Sequence, residues 1–262
     1  MRTLSTRRGL SASAIIIALA FSVTAQTAQA QTTGSSVDAM APAATARPMK
    51  AFKVLTPADV DPARLLSAPP ADASPRGQDD LAEVLRLYRG RTADQLAHAD
   101  WDDKHEDSNI FAATVGPAFD LAKLPETARF LKLVENEQSV AANLAKRYFR
   151  RMRPWGREAS IKPCDDKPNA NPKTSFPSGH ATLGYAIGYV LSDLMPQKAD
   201  AIQARAYDYA YSRLICGDHF ASDTEASHVL GVTVGLKLMT HPTLAAQIAA
   251  VRAELKAAGL AQ

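Results

Sequence analysis

The stretch SRLICGDHFASD, from Ser212 to Asp223, sets a histidine between an arginine and an aspartate. The guanidinium of Arg213 is a planar fork that matches the oxygens of a phosphate group. A carboxylate close to an imidazole can accept a hydrogen bond from one ring nitrogen, which leaves the other nitrogen free to attack. Arg213, His219 and Asp223 therefore predict phosphate chemistry with a histidine nucleophile. The alternative is a capped helix start beside a hydrogen-bonded histidine.

A second stretch, FPSGH, runs from Phe176 to His180. Pro177 and Gly179 predict a tight turn into a helix, and Ser178 offers a hydroxyl. The N–H groups at a helix start favour an anion. His180 stands at the same start, and an imidazole can donate a proton near neutral pH because its reference pKa is about 6.5. The alternative is an ordinary helix cap with a surface histidine.

A third stretch, KRYFRRMRP, contains Lys146 and Arg153, seven residues apart. On a helix, seven steps of about 100° bring the second side chain back to the same face, about 10 Å along the axis. Both cations are then expected to face one anion. The alternative is a solvated basic face, because Arg147, Arg150 and Arg151 lie nearby.

Helical signals dominate the chain from Gln78 onward and predict the elements that position these residues. Thr92 and Gln95 form a predicted capping box. A long helix is expected from Pro125 to Arg153, ended by Pro154 because the residue before a proline avoids helical geometry. A loop is predicted over 155–176, followed by a helix over 180–195.

The last third of the chain predicts three more helices. One runs from Pro196 to about Ile215, a second follows a capping box formed by Ser222 and Glu225, and a third begins at Pro242. No segment shows the two-residue alternation of a strand. We therefore predict an all-α, single-domain helical bundle over residues 79–262. Residues 31–78 are rich in Pro and Ala and predict a mostly irregular arm, in which FKVL at 52–55 can dock on the body.

The N-terminus has the three parts of a secretory signal peptide. Arg2, Arg7 and Arg8 supply the basic start, residues 11–23 are apolar, and AQA at 28–30 is a small-residue cleavage signature. We predict a signal peptide over 1–30, cleaved near Ala30, and a periplasmic or secreted product. The segment STRRGL also resembles a twin-arginine signal, so the export route stays open. The alternative, a membrane anchor, would need a longer apolar run.

The charge balance changes once the predicted leader is removed. The whole chain has a formal net charge of +3, and residues 1–30 contribute three arginines and no acid. The remainder is neutral, which argues against a nucleic-acid polymer or an anionic membrane surface as partner. No later segment is apolar enough to predict a membrane span.

The chain contains two cysteines, Cys164 and Cys216. In an exported protein the default is a disulfide, which would close a loop of about 50 residues and stabilise the fold by about 4 kcal/mol. Two free buried thiols are the alternative. Metal ligation by His219, Asp223 and His228 is a further alternative, but the chain lacks a HExxH motif or a close histidine pair, so no metal is predicted.

Taken together, the three stretches resemble the three-part signature of the type-2 phosphatidic-acid-phosphatase and vanadium-haloperoxidase superfamily. The segment SRLICGDH and the proline-rich arm are similar to the class A bacterial nonspecific acid phosphatases. The resemblance implies that His219 is the nucleophile, that Asp223 orients it, and that His180 is the general acid and base. It implies a phosphate-binding set as well: Lys146, Arg153, Ser178, Gly179 and Arg213. Asp218 departs from the pattern, since a neutral or aromatic residue is expected beside the reactive histidine.

The resemblance implies a secreted acid phosphatase that hydrolyses small phosphate monoesters through a phosphohistidine, with a broad substrate range. It implies no cofactor, inhibition by vanadate as a transition-state mimic, and a possible homo-oligomer. A vanadate-dependent haloperoxidase and a lipid-phosphate phosphatase are the enzyme alternatives. A phosphate-binding module without catalysis is the non-enzyme alternative.

Overall fold

A computed structural model describes residues 50–164 and 170–262. The predicted signal peptide and the first part of the predicted arm lie outside this range. The described residues form ten α-helices and no β-strand, which confirms the all-α prediction. In chain order the helices are α1 (Pro62–Leu65), α2 (Pro75–Gly90), α3 (Ala93–Lys104), α4 (Ala112–Val115), α5 (Pro125–Phe149), α6 (Pro154–Arg157), α7 (Gly179–Leu194), α8 (Ala199–Ile215), α9 (Ala221–Met239) and α10 (Ala245–Ala257). Short 3₁₀ turns precede α4, α8 and α10.

Helix α7 is the central element, and it packs against α5, α8 and α9. Its sequence is apolar on almost every side, as expected for a helix enclosed by others. The approach of α9 is close because Gly231 has no side chain: a Cβ at that position would lie 2.6 Å from the carbonyl oxygen of Thr182. This close packing holds the N-terminal ends of α7 and α9, which carry His180 and Asp223, in one region of the molecule.

The segment before α2 docks on this bundle. Leu55, Val60 and Leu66 are buried in the same apolar core as α7. The carboxylate of Glu137 on α5 accepts the backbone N–H groups of Lys53 at 2.7 Å and Leu55 at 2.9 Å. The predicted docking of FKVL is thus confirmed, and two backbone donors that burial would otherwise leave unpaired are satisfied.

Helix α2 begins earlier than the boundary predicted at residue 79. Ser74 accepts a hydrogen bond from the N–H of Gly77, and Pro75 occupies the first turn, where it has no hydrogen bond to lose. The capping box of Thr92 and Gln95 at the start of α3 is present, as the sequence predicts.

Helix α5 ends sooner than predicted. Its last residue is Phe149, and Arg150 takes the left-handed conformation with φ 52°. Beyond it the chain pairs with the 171–175 loop: the N–H of Arg153 donates to the carbonyl of Pro172, and the N–H of Ser175 donates to the carbonyl of Arg151. The prediction that Lys146 and Arg153 share one helical face is therefore wrong, since Arg153 lies outside the helix.

The start of α9 also differs from the prediction. The helix begins at Ala221, so the predicted capping box of Ser222 and Glu225 is wrong. Asp223 accepts the N–H of Phe220 at 2.9 Å in its place, while the side chain of Ser222 bonds to Asp80 on α2. A long-range partner thus outcompetes the local cap.

Cys164 and Cys216 form the predicted disulfide, with their Cα atoms 5.1 Å apart. The bond ties the loop after α6 to the end of α8, three residues beyond Arg213. Gly217, with φ 71°, turns the chain there toward His219.

Within the described ranges, no single helix has the length and apolar character needed to cross a membrane. One pair of consecutive helical segments, Ala221–Met239 and Pro242–Ala257, passes that test of length and composition only when joined, and the two are bent by 63°.

Candidate active site

His219 and Asp223 meet at the N-terminal end of α9. The imidazole Nδ1 lies 3.4 Å from the Oδ2 atom of Asp223, and both side chains are buried. The separation is longer than a hydrogen bond, and Nδ1 has no hydrogen-bond partner among the residues that the structure describes. Catalytic hydrogen bonds are often long before a ligand binds and tightens them. Because Nδ1 faces the carboxylate, Nε2 is the ring nitrogen left for another partner.

Asp223 is held by three hydrogen-bond donors, none of which is the imidazole. Its Oδ2 accepts the hydroxyl of Ser175 at 2.6 Å and the N–H of Phe220 at 2.9 Å, while its Oδ1 accepts Nη1 of Arg151 at 2.6 Å. Burial raises the pKa of Asp223 to about 6, and the guanidinium of Arg151 and the Ser175 hydroxyl oppose that rise. The carboxylate is therefore ionised at neutral pH.

Arg151 is the residue that sequence reasoning missed. It was grouped with a solvated basic face, yet it is 5% exposed and lies between Asp223 and Asp80. Its Nη1 also donates to the hydroxyl of Ser222, and its plane covers the ring of Phe220 at 4.3 Å. Two carboxylates and a ring face compensate the burial of this charge.

The start of α7 offers donors suited to an anion. Ser178 caps the helix: its Oγ accepts the N–H of Ala181 at 3.3 Å, and its own N–H donates to Ser227 at 2.9 Å. The first N–H groups of a helix have no acceptor within it, so those of Gly179 and His180 are available for a ligand. A Cβ added to Gly179 would lie 3.3 Å from the Nζ atom of Lys146, so the ammonium is beside this helix start.

Arg213 and Arg153 reach the same region and share a carboxylate. Oδ2 of Asp218 lies 2.9 Å from Nη2 of Arg213, and Oδ1 lies 3.3 Å from Nη1 of Arg153. On its other side, Arg213 has Nη1 at 2.6 Å from Oδ1 of Asp103, off the N–H direction, so that contact is an ion pair and not a directed hydrogen bond. The unexpected Asp218 is thus part of the candidate phosphate site.

His180 is fixed by a backbone carbonyl. Its Nε2 lies 3.0 Å from the oxygen of Asp103, so Nε2 carries a proton and Nδ1 is the nitrogen that can exchange one. Nδ1 lies 3.9 Å from Oε1 of Glu106. The ring is tilted against that of Tyr209, with 5.9 Å between centroids.

The three cations control the protonation of both histidines. Burial lowers the pKa of His219 well below its ordinary value, and Arg153, Lys146 and Arg213 lower it further. Burial and the charge of Arg213 lower the pKa of His180 in the same way. Burial also lowers the pKa of Lys146 to about 8, assisted by Arg153. Lys146, Arg153 and Arg213 thus oppose the protonation of both histidines, and an anion bound among them would reduce that opposition.

All eight predicted chemical residues lie in this one region, which joins the ends of α5, α7, α8 and α9. The groups that sequence reasoning missed are those that support them: Arg151, Asp80, Ser175, Ser222 and Asp103. Asp80, Asp103 and Ser222 lie in helices, whereas Arg151 and Ser175 lie in the segments between them, and no shared spacing marks the five residues.

The remaining histidines lie elsewhere. His228 packs on the ring of Tyr185 at 4.4 Å, so it does not complete the alternative metal site with His219 and Asp223. Across the described ranges, one group of three side chains has metal-ligand spacing: His98, Asp102 and Asp208. Arg205 forms ion pairs with both of those carboxylates, which supplies their counter-charge.

Comparison with known proteins gives a consistent result. Residues 137–244, which contain all three signature stretches, match the PAP2 superfamily. A non-specific acid phosphatase of Salmonella typhimurium is 31% identical over 196 residues, 72% of this chain and 78% of the relative. An acid phosphatase of Zymomonas mobilis is 31% identical over 65% of the chain and 66% of the relative. A non-specific acid phosphatase of Providencia stuartii is 29% identical over 72% and 78%.

Proposed function

Because the chain belongs to the PAP2 superfamily, among its class A bacterial non-specific acid phosphatases, we propose that it hydrolyses phosphate monoesters through a phosphohistidine at His219. The chain is an acid phosphatase by this membership. The observation that supports the covalent mechanism is the buried pair of His219 and Asp223 beside three cations. A phosphate group bound by those cations lies next to an imidazole whose Nδ1 is directed to a carboxylate.

The first step forms a phosphorus–nitrogen bond. Nε2 of His219 attacks the phosphorus atom while the bond from phosphorus to the ester oxygen breaks. His180 gives its Nδ1 proton to the departing oxygen, which leaves as an alcohol. The Nδ1–H group of His219 donates a hydrogen bond to Asp223 in this step, and the proton stays on the ring. The carboxylate thereby stabilises the positive charge that the attack creates on the imidazole.

The second step is hydrolysis of the phosphohistidine, in which His180 acts as a base. His180, now neutral, takes a proton from a water molecule, and the resulting hydroxide attacks the phosphorus atom. The phosphorus–nitrogen bond breaks, His219 returns to its neutral form, and inorganic phosphate leaves. The same imidazole acts first as acid and then as base, as microscopic reversibility requires.

The protonation of His180 depends on the substrate. In the free site burial lowers the pKa of His180, and the neighbouring cations lower it further, which favours its neutral form. A bound phosphate dianion adds two negative charges among Lys146, Arg153 and Arg213 and so raises the pKa of His180 in the complex. Substrate binding therefore favours the protonated form of His180, which is the form that acts as general acid.

The residues of the site can supply the electrostatic part of catalysis without a metal ion. Phosphoryl transfer spreads charge over three oxygens, and fixed cations and N–H donors stabilise that charge. Lys146, Arg153, Arg213 and the N–H groups that begin α7 are suited to this role. We therefore propose a metal-independent enzyme that vanadate inhibits, exported by way of the predicted signal peptide.

Hydrolysis of p-nitrophenyl phosphate by the purified protein, with and without EDTA, tests the activity and its metal independence. The covalent intermediate is tested by mixing the enzyme with a substrate that carries radiolabelled phosphate, stopping the reaction rapidly without acid, and measuring the label on the protein. Phosphohistidine is expected as a label that survives base and is lost in acid. Bromide oxidation by hydrogen peroxide with added vanadate tests the haloperoxidase alternative, which predicts no such label.

His219→Asn and His241→Asn form the matched pair for this experiment. His241 is half-buried, lies outside the candidate active site and bonds to Thr243, so its variant should keep full turnover and labelling. The His219 variant should lose both. Labelling that persists in His219→Asn would show that another residue is the nucleophile.

A further inference from the structure

A strongly basic groove lies beside the candidate active site. It has a volume of about 340 Å³ and is lined by the end of α5 and the 171–174 loop. Its four cationic side chains are those of Lys146, Arg147, Arg150 and Lys173, and no acidic residue lines it. We call this set the basic groove.

The basic groove is continuous with the phosphate site. Lys146 belongs to both, since its Nζ lies beside Gly179 at the start of α7. Thr174, which also lines the groove, accepts a hydrogen bond from Nε of Arg153 at 3.1 Å. A molecule whose phosphate is held by Lys146 and Arg153 therefore has the groove next to it.

The charge of the groove is not compensated within the described part of the chain. Arg153 and Arg213 have carboxylates at ion-pair distance, whereas no described carboxylate lies at that distance from Arg147, Arg150 or Lys173. Cations at the C-terminal end of α5 interact favourably with the helix dipole, which explains Arg147. Lys173 comes from a separate loop, so the dipole does not account for the convergence of the set.

Arg150 strengthens this argument. It is the only described residue other than glycine with positive φ, and a side chain with a Cβ is disfavoured there. Glycine would suit the position better, yet an arginine lines the groove. The chain thus has a cation of the groove at a position where the end of the helix alone would favour glycine.

We propose that the basic groove binds a second phosphoryl group of the substrate, so that the enzyme prefers phosphate monoesters that carry another phosphate. This inference rests on the proposed function, because the first phosphate must occupy the candidate active site. The second phosphate is bound there and not cleaved. Its contribution is expected in KM, because it is held equally in the ground state and the transition state.

Alkanediol bisphosphates of three to six carbons, compared with alkyl monophosphates of the same length, provide the test. We expect kcat/KM to be about tenfold higher for the best bisphosphate, since each exposed ion pair contributes a few-fold. The advantage should appear in KM and shrink when the ionic strength is raised. Equal kcat/KM for both series at every length would overturn the proposal.

Two sets of variants locate the effect. Arg147→Gln with Lys173→Gln, and Arg150→Gly alone, remove groove charges without changing the candidate active site. Arg150→Gly should fold well because glycine suits φ 52°. Arg150→Gly should lose a few-fold of the bisphosphate advantage, the double variant should lose more, and both should keep monophosphate hydrolysis. Lys123→Gln, on an exposed pair with Asp120, is the control and should keep the advantage.

The outcomes separate the two proposals. Absence of monophosphate hydrolysis in the unmodified protein would contradict the proposed function itself. Hydrolysis of both series with no difference would contradict only the groove. A bisphosphate advantage that stays undiminished in both sets of variants would place the second phosphate elsewhere and overturn the assignment to this groove.

Discussion

Oδ2 of Asp218 lies 2.9 Å from Nη2 of Arg213, so a carboxylate of the chain already occupies one of the guanidinium groups that the phosphate would use. The same carboxylate reaches Arg153 at 3.3 Å. In the proposed mechanism the substrate competes with Asp218 for both arginines. We therefore expect Asp218 to lower the affinity of the site for phosphate, including the phosphate released as product.

Asp218→Asn should tighten product inhibition. Removing one buried negative charge beside two arginines is expected to lower the inhibition constant of inorganic phosphate by about tenfold, the scale of a charged hydrogen bond. Competitive inhibition by phosphate at fixed pH measures it. Asp193→Asn, which removes a carboxylate from an exposed pair with Arg252, is the control and should leave the constant unchanged. Weaker inhibition in a folded Asp218→Asn protein would show that Asp218 orients the arginines and does not compete.

His180→Ala should affect substrates according to their leaving groups. On ethyl phosphate we expect kcat/KM to fall by about 10² to 10⁴, because an alkoxide leaves poorly without a proton. On p-nitrophenyl phosphate the loss should be far smaller, because nitrophenolate is stable unprotonated. His241→Ala supplies the background for both substrates. Equal losses on the two esters would contradict the general-acid role.

Deprotonation of Lys146 should weaken phosphate binding at alkaline pH. Burial lowers the pKa of Lys146 to about 8, so the ammonium loses its proton as the pH rises through that value and one cation disappears from the site. The inhibition constant of phosphate should therefore rise above pH 8, by up to about tenfold per pH unit. Lys146→Arg keeps its charge and should flatten this dependence between pH 7.5 and 9.5. The same slope in both proteins would assign the limit to another group.

The disulfide should matter for stability. Cys164 and Cys216 are 52 residues apart in the sequence, and replacing both with serine should lower the free energy of unfolding by about 4 kcal/mol in the chain-entropy model. Urea denaturation of the oxidised protein and the double variant measures the difference. Reductant should destabilise the unmodified protein and leave the double variant unaffected. Coincident transitions for all samples would mean that the bond does not constrain the unfolded chain.

Local signals in the sequence predicted the long helices, although the starts of α2 and α9 differ from the prediction. The capping box of Thr92 and Gln95 and the disulfide are present, because each depends on few residues or on composition. The errors arose where a distant partner decides the local structure. Helix α5 ends at Phe149 because the chain beyond Arg150 pairs with the 171–175 loop, which no local pattern shows.

In the candidate site, too, some residues were predicted from local sequence and others depend on distant partners. The residues that contact phosphate in the proposed mechanism were predicted, because their motif carries their identity. The supporting contacts of Arg151 with Asp80 and Asp223 were not, since a buried pair separated by 71 or 72 residues leaves no trace in local spacing. Arg151 reads as one more basic residue in a basic run until its neighbours in space are known.

Because Arg151 also pairs with Asp80, we expect the segment that spans the three signature stretches to be insufficient for a fully formed active site. Asp80 on α2 lies well upstream of the earliest motif residue, yet it shares Arg151 with the aspartate that steadies the nucleophile. A protein shortened to begin at α3 would keep every motif residue and still lack Asp80, the second carboxylate that pairs with Arg151. Truncations and domain grafts of this chain should therefore keep α2, however little it contributes to the recognisable pattern.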